Sequence, residues 1–147
     1  MILAIDLGNT FGWAIKQSYT IDSGWDRLSN KTKSEPGKRF TLFYYWLQEQ
    51  DGKGIEVVYF EDVKRHKGLY AARAYCGYLA VLQSWAHKRE IKCVGVGVGV
   101  IKKFWTGKGD AKKPLMIAEA VKRGFEITDD NQADALALLH CAIELGK

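Results

Sequence analysis

The apolar positions of this chain fall into short continuous runs, alternating stretches and helical stripes. In "MILAIDLGNT" four apolar residues lead into Asp6. This reads as a strand over residues 2–7 that is buried on both faces. "GWAIKQ" (Gly12 to Gln17) and "YTIDSGW" (Tyr19 to Trp25) alternate apolar and polar positions and predict two more strands in an antiparallel meander. The polar stretch "SNKTKSEPGKR" (Ser29 to Arg39) predicts a loop that turns into a helix through "FTLFYYWLQEQ", ended by Gly52 and Gly54. "IEVVYFEDV" (Ile55 to Val63) reads as a fourth strand, residues Leu69 to Arg89 as a long helix, and "IKCVGV" as a fifth strand. "GVIKKFW" is a candidate short helix. "KKPLMIAEAVKRG" and "DNQADALALLHCAIELG" predict two further helices, the last closed by Gly146. The order β-β-β-α-β-α-β-α-α gives an α/β class, with a mixed five-stranded sheet and helices on both faces. With no repeat or long linker, residues 1–147 read as one domain with a real core.

Composition narrows the class. No apolar run approaches the roughly 20 residues of a membrane span, so no membrane partner is expected. The N-terminus lacks the basic start of a signal peptide. Cys76, Cys93 and Cys141 are scattered, without a C-x-x-C pair. They suit a reducing, cytoplasmic setting and argue against a disulfide frame or a zinc knuckle. The net charge of +5 admits a polyanionic partner without requiring one.

Asp6 then stands out, because a carboxylate at the end of a buried strand is costly unless it is paired or binds a metal. In "VVYFEDV", Val57, Tyr59 and Glu61 share one strand face, which puts Glu61 near the C-terminal end where ligands gather in open α/β sheets. Asp130 and Asp134 are four residues apart and share a helical face. Asp129 and Asp130 also suit a helix start as caps. Asp134 is different, since it lies one turn in, between Ala133 and Ala135, where a core residue is expected. If Asp6, Glu61, Asp130 and Asp134 converge, their repulsion calls for protons or bridging cations, and Mg²⁺ is a natural bridge. The alternative is a set of scattered caps and salt-bridge partners.

Basic residues surround these acids in sequence. "KKFWTGKGDAKK" sets Lys102, Lys103, Lys108, Lys112 and Lys113 around Gly107 and Gly109, where backbone can approach a phosphate. Lys64, Arg65, Lys67 and Arg73 follow Glu61 and suit a DNA path. A solvated basic loop is the competing reading for the glycine segment. His66 reads as a surface residue, and Tyr70, Tyr75 and Tyr78 as core or interface residues rather than base-stacking platforms. "VGVGVGV" lacks the spacing and context of a dinucleotide fingerprint.

"ILAIDLG", "YFEDV", "GKGDAKK" and "QADALALLHCA" resemble, in this order, the motifs of RuvC-type Holliday junction resolvases of the phage or viral branch, within the ribonuclease H-like superfamily. The resemblance covers most of the chain, and "ADALAL" is its most specific piece. It implies a ribonuclease H-like fold, a homodimer, and paired nicks across a four-way DNA junction in the bacterial cell. It also implies Mg²⁺ or Mn²⁺, two ions per site. Asp6 matches the family's first-strand acid, Glu61 its fourth-strand acid, and Asp134 the acid of its last helix. Where the family carries a further Asp or His this chain has Asn131. Asp130, one residue earlier, is the favoured fourth ligand because its charge matters more to Mg²⁺. Lys102 and Lys113 match basic positions flanking the family's glycine loop, and Lys113 joins Asp6, Glu61, Asp130 and Asp134 as a catalytic candidate. The DNA-binding candidates are Lys64, Arg65, Lys67, Arg73, Lys102, Lys108, Lys112 and Lys113, and the long helix from Leu69 is the candidate dimer interface. Rival readings are a related nuclease acting on other branched DNA or ribosomal RNA precursors, an actin-like or pantothenate-kinase-type phosphotransferase, and a non-catalytic DNA-binding relative.

Overall fold

The computed structural model describes residues 1–28 and 33–146; the first residues of the expected loop, Ser29 to Thr32, lie outside them. Five strands form one sheet: β1 Ile2–Asp6, β2 Thr10–Gln17, β3 Thr20–Arg27, β4 Val57–Asp62 and β5 Lys92–Gly97. Their order is β3-β2-β1-β4-β5. The first three make the antiparallel meander, while β4 runs parallel to both β1 and β5. Five helices complete the chain: α1 Lys38–Glu49, α2 Leu69–Lys88, α3 Val98–Thr106, α4 Lys113–Lys122 and α5 Asp130–Leu145.

Strand alternation sorts the sheet into two faces. Leu3, Ile5, Phe11, Val58 and Phe60 join one core with Phe43 and Leu47 of α1 and with Tyr78, Leu82 and Trp85 of α2. Ala4, Ala14 and Val96 join the other with Ile101 and Trp105 of α3, Met116 of α4 and Leu136 and Leu139 of α5. The residues 3–5 of β1 are fully buried, so β1 is covered on both faces, as its unbroken apolar run predicts.

The second face is built of small residues where α5 crosses it. Gly12 of β2 is the key position. A Cβ there would lie 1.8 Å from the Asn131 carbonyl oxygen and 2.2 Å from its carbonyl carbon. Hydrogen at this position lets the backbone of α5's first turn rest directly on β2. In the β1–β2 pairing Gly12 is the partner of Asp6. The closest approach of helix and sheet therefore falls beside the acid that ends β1.

Element boundaries moved by a few residues. β4 starts at Val57, and the Glu56 N–H just before it bonds the Met1 carbonyl at 3.0 Å. Tyr19 belongs to the tight turn between β2 and β3, fully exposed, and β3 continues to Arg27. The glycine segment after β5 does contain a full helix, α3, closed by Gly107 at φ 86°. No helix of the described residues is long and apolar enough to cross a membrane.

Candidate active site

Asp6 and Glu61 end adjacent parallel strands. The β1–β4 register pairs Ile5 with Phe60, so its next step sets Asp6 beside Glu61. Asp6 lies on the same face as Ala4, and Glu61 on the same face as Tyr59, which is the side that α5 covers. The Asp6 and Glu61 carboxyls lie within hydrogen-bonding reach of each other. Burial raises the Asp6 pKa well above the usual carboxylate range, and the charges of Glu61 and Asp134 raise it further. Burial likewise raises Glu61, opposed by the Asp6 hydrogen bond and by the Lys102 ammonium.

The second pair comes from α5. Asp134 is pushed up to about 7, first by burial and then by the charges of Glu61 and Asp130, with Lys102 and Lys113 pulling the other way. Asp130 pairs with Lys113, Nζ to Oδ2 3.0 Å. That bond raises the Lys113 pKa. It also explains an otherwise unfavourable placement, because Lys113 opens α4 at the positive end of the helix dipole with no acid in its first turn. Thus Asp6, Glu61, Asp130 and Asp134 feel one another across three elements at one sheet edge, with Lys102 and Lys113 as their near cations.

Asp130 and Asn131, the two candidates for the fourth ligand, are held differently. Asp129 is the N-cap of α5 and accepts the Asn131 backbone N–H at 2.8 Å. The Asn131 side chain donates to the same Asp129 oxygen at 2.8 Å, so it is turned into the cap. Asp130 faces the other acids. Asp130→Asn is therefore expected to slow any metal-dependent reaction of this site strongly, while Asn131→Ala costs little. A larger effect from Asn131→Ala in a metal-titrated activity assay would reverse the assignment.

Supporting contacts that the sequence did not reveal hold the strand end in place. Tyr75 of α2 donates its hydroxyl to the Glu61 carbonyl at 2.8 Å and accepts the Val63 N–H at 3.1 Å. It pins the backbone on both sides of Asp62, the last residue of β4. Beyond Asp6, the Asn9 side-chain oxygen accepts from the Tyr78 hydroxyl and from Arg39 at 3.3 Å. Tyr75 and Tyr78 are buried, in line with a packing role, while Tyr70 stands 83% exposed at the start of α2. His66 is half-buried against the Tyr75 ring.

Of the remaining basic candidates, Lys64, Arg65 and Lys67 are exposed on the loop after β4, Arg73 on α2, and Lys108 and Lys112 around α4's entry. A groove of about 440 Å³ runs between Lys64 and Arg65 on one side and Gly97 and Gly99 on the other. It lies at the same strand ends as the acids. A cavity of about 520 Å³ lies at the opposite edge, but its charged groups, Asp51 and Arg89, are already bonded to each other at 2.5 Å.

Four carboxylates supply the hard oxygen donors that Mg²⁺ or Mn²⁺ prefers, and burial, joined at Asp6 and Asp134 by neighbouring negative charge, raises the pKa values of Asp6, Glu61 and Asp134, a cost that a dication would offset. The donor set fits such an ion in type and charge. As placed, no three acidic, His or Cys side chains among the described residues form a ready-made metal cage.

The sheet order and helix placement are those of the ribonuclease H-like fold. No family model matches the chain, and no curated protein matches it. Solved structures do. Thermus thermophilus RuvC is 16% identical, over 99% of this chain and 96% of its own, with a TM-score of 0.72. The same protein in complex with Holliday junction substrate is 17% identical, over 99% and 93%, with a TM-score of 0.80. The fowlpox virus resolvase in complex with substrate Holliday junction DNA is 12% identical, over 99% of both chains, with a TM-score of 0.56. The fold that the sequence motifs imply is thus the fold the chain adopts.

Proposed function

We propose that this chain is a metal-dependent endonuclease that resolves four-way DNA junctions by paired phosphodiester hydrolysis. The observation that carries this reading is the convergence of Asp6, Glu61, Asp130 and Asp134 from three elements, flanked by Lys102 and Lys113. The neighbours solved with junction DNA support the substrate class.

Two Mg²⁺ or Mn²⁺ ions held by these carboxylates would supply an activated water and charge stabilisation for the leaving oxygen. The protein's own work is positional. Asp6 and Glu61 are fixed on strand ends, and Asp130 and Asp134 on one helical face. Lys113 neutralises Asp130 until a phosphate arrives and is then free to bind it. Lys102, Lys108 and Lys112, with Lys64, Arg65, Lys67 and Arg73, provide the path for the DNA backbone.

Each lysine–phosphate contact releases counterions, so each lost contact lowers the salt slope of binding by about one. Lys113→Ala is expected to weaken junction binding or slow cleavage. Lys16→Ala, on β2 opposite Ile2 at the far end of β1 from Asp6, is not. Equal losses in a gel-shift salt titration would leave the α3–α4 loop as a solvated basic surface.

Symmetric incision needs two sites related by a two-fold axis, so the working unit is a homodimer, with α2 as the interface. The defining experiment compares cleavage of four-way, three-way, flap and linear DNA in Mg²⁺, with light scattering on the junction complex. Preference for the four-way substrate by a dimer is the expected result. Equal cleavage of linear DNA, or a monomer on the junction, would overturn the respective part.

A further inference from the structure

Gln132 is buried in the first turn of α5, and it uses its whole side-chain amide. Its Oε1 accepts from the Thr128 backbone N–H at 3.1 Å and from the Thr128 hydroxyl at 3.4 Å. Its Nε2 donates to the Glu126 carbonyl at 3.1 Å and to the Ser23 hydroxyl at 3.1 Å. The Thr128 hydroxyl in turn accepts the Trp25 indole N–H at 2.9 Å. One buried amide thereby joins β3, the α4–α5 connection and α5. Such a network is strongly directional, because every member left unpaired in the interior is destabilising.

Helix geometry turns this into a statement about the site. Residues two positions apart on an α-helix point about 200° apart. Asp130 and Asp134 each lie two positions from Gln132, so both project from the opposite side of α5. The sheet order is β3-β2-β1-β4-β5. The α5 backbone rests on β2 at Gly12, with Gln132 bonded to β3 on one side. The far side is where Asp134 feels Glu61, and Asp130 and Asp134 feel Asp6. Gly12 fixes the height of the helix above the sheet, and Gln132 fixes its rotation.

We infer that Gln132 is a positioning residue: its four hydrogen bonds set the rotation of α5 that brings Asp130 and Asp134 to Asp6 and Glu61. This rests on the nuclease reading above for what the acids bind. Met at this position keeps the volume and removes all four bonds. The test is Gln132→Met, measured for Mn²⁺ binding by electron paramagnetic resonance, for the metal dependence of junction nicking, and for thermal unfolding. Gln50→Met is the control. Gln50 is also buried and hydrogen-bonded, to the Trp46 carbonyl at 2.9 Å, but it lies at the end of α1 beside the opposite edge of the sheet. Both variants are expected to lose stability. Only Gln132→Met should weaken Mn²⁺ binding, by about tenfold, the size typical of losing a group that orients metal ligands. Its nicking should recover at high Mn²⁺, with junction affinity unchanged. Ser23→Ala removes a single bond and should shift Mn²⁺ affinity in the same direction by less. If Gln132→Met does not fold, Ser23→Ala decides the matter in the same assays. A folded Gln132→Met with wild-type Mn²⁺ affinity, or an equal shift in Gln50→Met, would overturn the positioning role while leaving the nuclease intact. A wild-type protein that neither binds Mn²⁺ nor nicks would overturn both.

Discussion

Asp6→Asn is expected to abolish Mg²⁺-dependent nicking while leaving a folded protein that still binds junction DNA. The change preserves shape. The Asn amide keeps the size of the Asp6 carboxyl and can still hydrogen-bond Glu61, while the charge that Glu61 and Asp134 oppose is removed. Thermal stability should therefore hold or rise, since one source of repulsion among clustered acids is gone. Binding of DNA should survive, because the lysines hold the phosphates, and it can tighten as a negative charge leaves their path. Catalysis is affected differently. The site loses one of the charges that hold and orient its cations, and no neighbour can replace it. Cleavage should fall by about three orders of magnitude, corresponding to about 4 kcal/mol of transition-state stabilisation. Unfolding, gel shift and nicking measured on one preparation separate these effects. Near-normal nicking by the folded variant would remove Asp6 from the site, and with it the reading of β1 as a catalytic strand.

Much of this arrangement is legible in the sequence. β1 and β4 are marked by dense apolar runs, and the acid at the end of each is conspicuous because little else polar interrupts them. Asp134 is conspicuous for the same reason, between alanines that are wholly buried. The end of edge strand β3 is less legible, because its last two residues, Asp26 and Arg27, are polar and exposed and carry no hydrophobic signal. Asp129 and Asp130 are chemically alike and adjacent, and only the rotation of α5 decides which is cap and which faces the other acids. That rotation depends on Gln132, whose partners lie at Ser23, Glu126 and Thr128. Contacts so distant in sequence leave no periodic trace. Tyr75 is similar: its spacing suits the core, and nothing in the sequence reveals that its hydroxyl ties down the end of β4.

Gly12 left a faint trace, a glycine within a strand, which marks a bulge or a close approach of another backbone. Its contact makes Gly12→Ala the second large expected effect. The added methyl would sit 1.8 Å from the Asn131 carbonyl oxygen and 2.8 Å from the Gln132 nitrogen, both backbone atoms that no side-chain rotation can move. Either β2 or the start of α5 must shift. Overpacking of this kind costs about 1–3 kcal/mol, and this contact belongs at the upper end. The functional loss should exceed what that instability explains. The displaced turn carries Asp130 directly and Asp134 one turn on, while Asp6 stays on its strand opposite Gly12. A misplacement of about 1 Å can cost about 100-fold in rate. The expected result is a protein with a lowered melting temperature that remains folded at 25 °C, binds junction DNA, and nicks at no more than about 1% of the wild-type rate. Assays well below the melting transition separate misplacement from unfolding. If nicking falls only in proportion to the unfolded fraction, the contact between Gly12 and α5 serves stability alone. The site would then tolerate more freedom in α5 than its geometry implies.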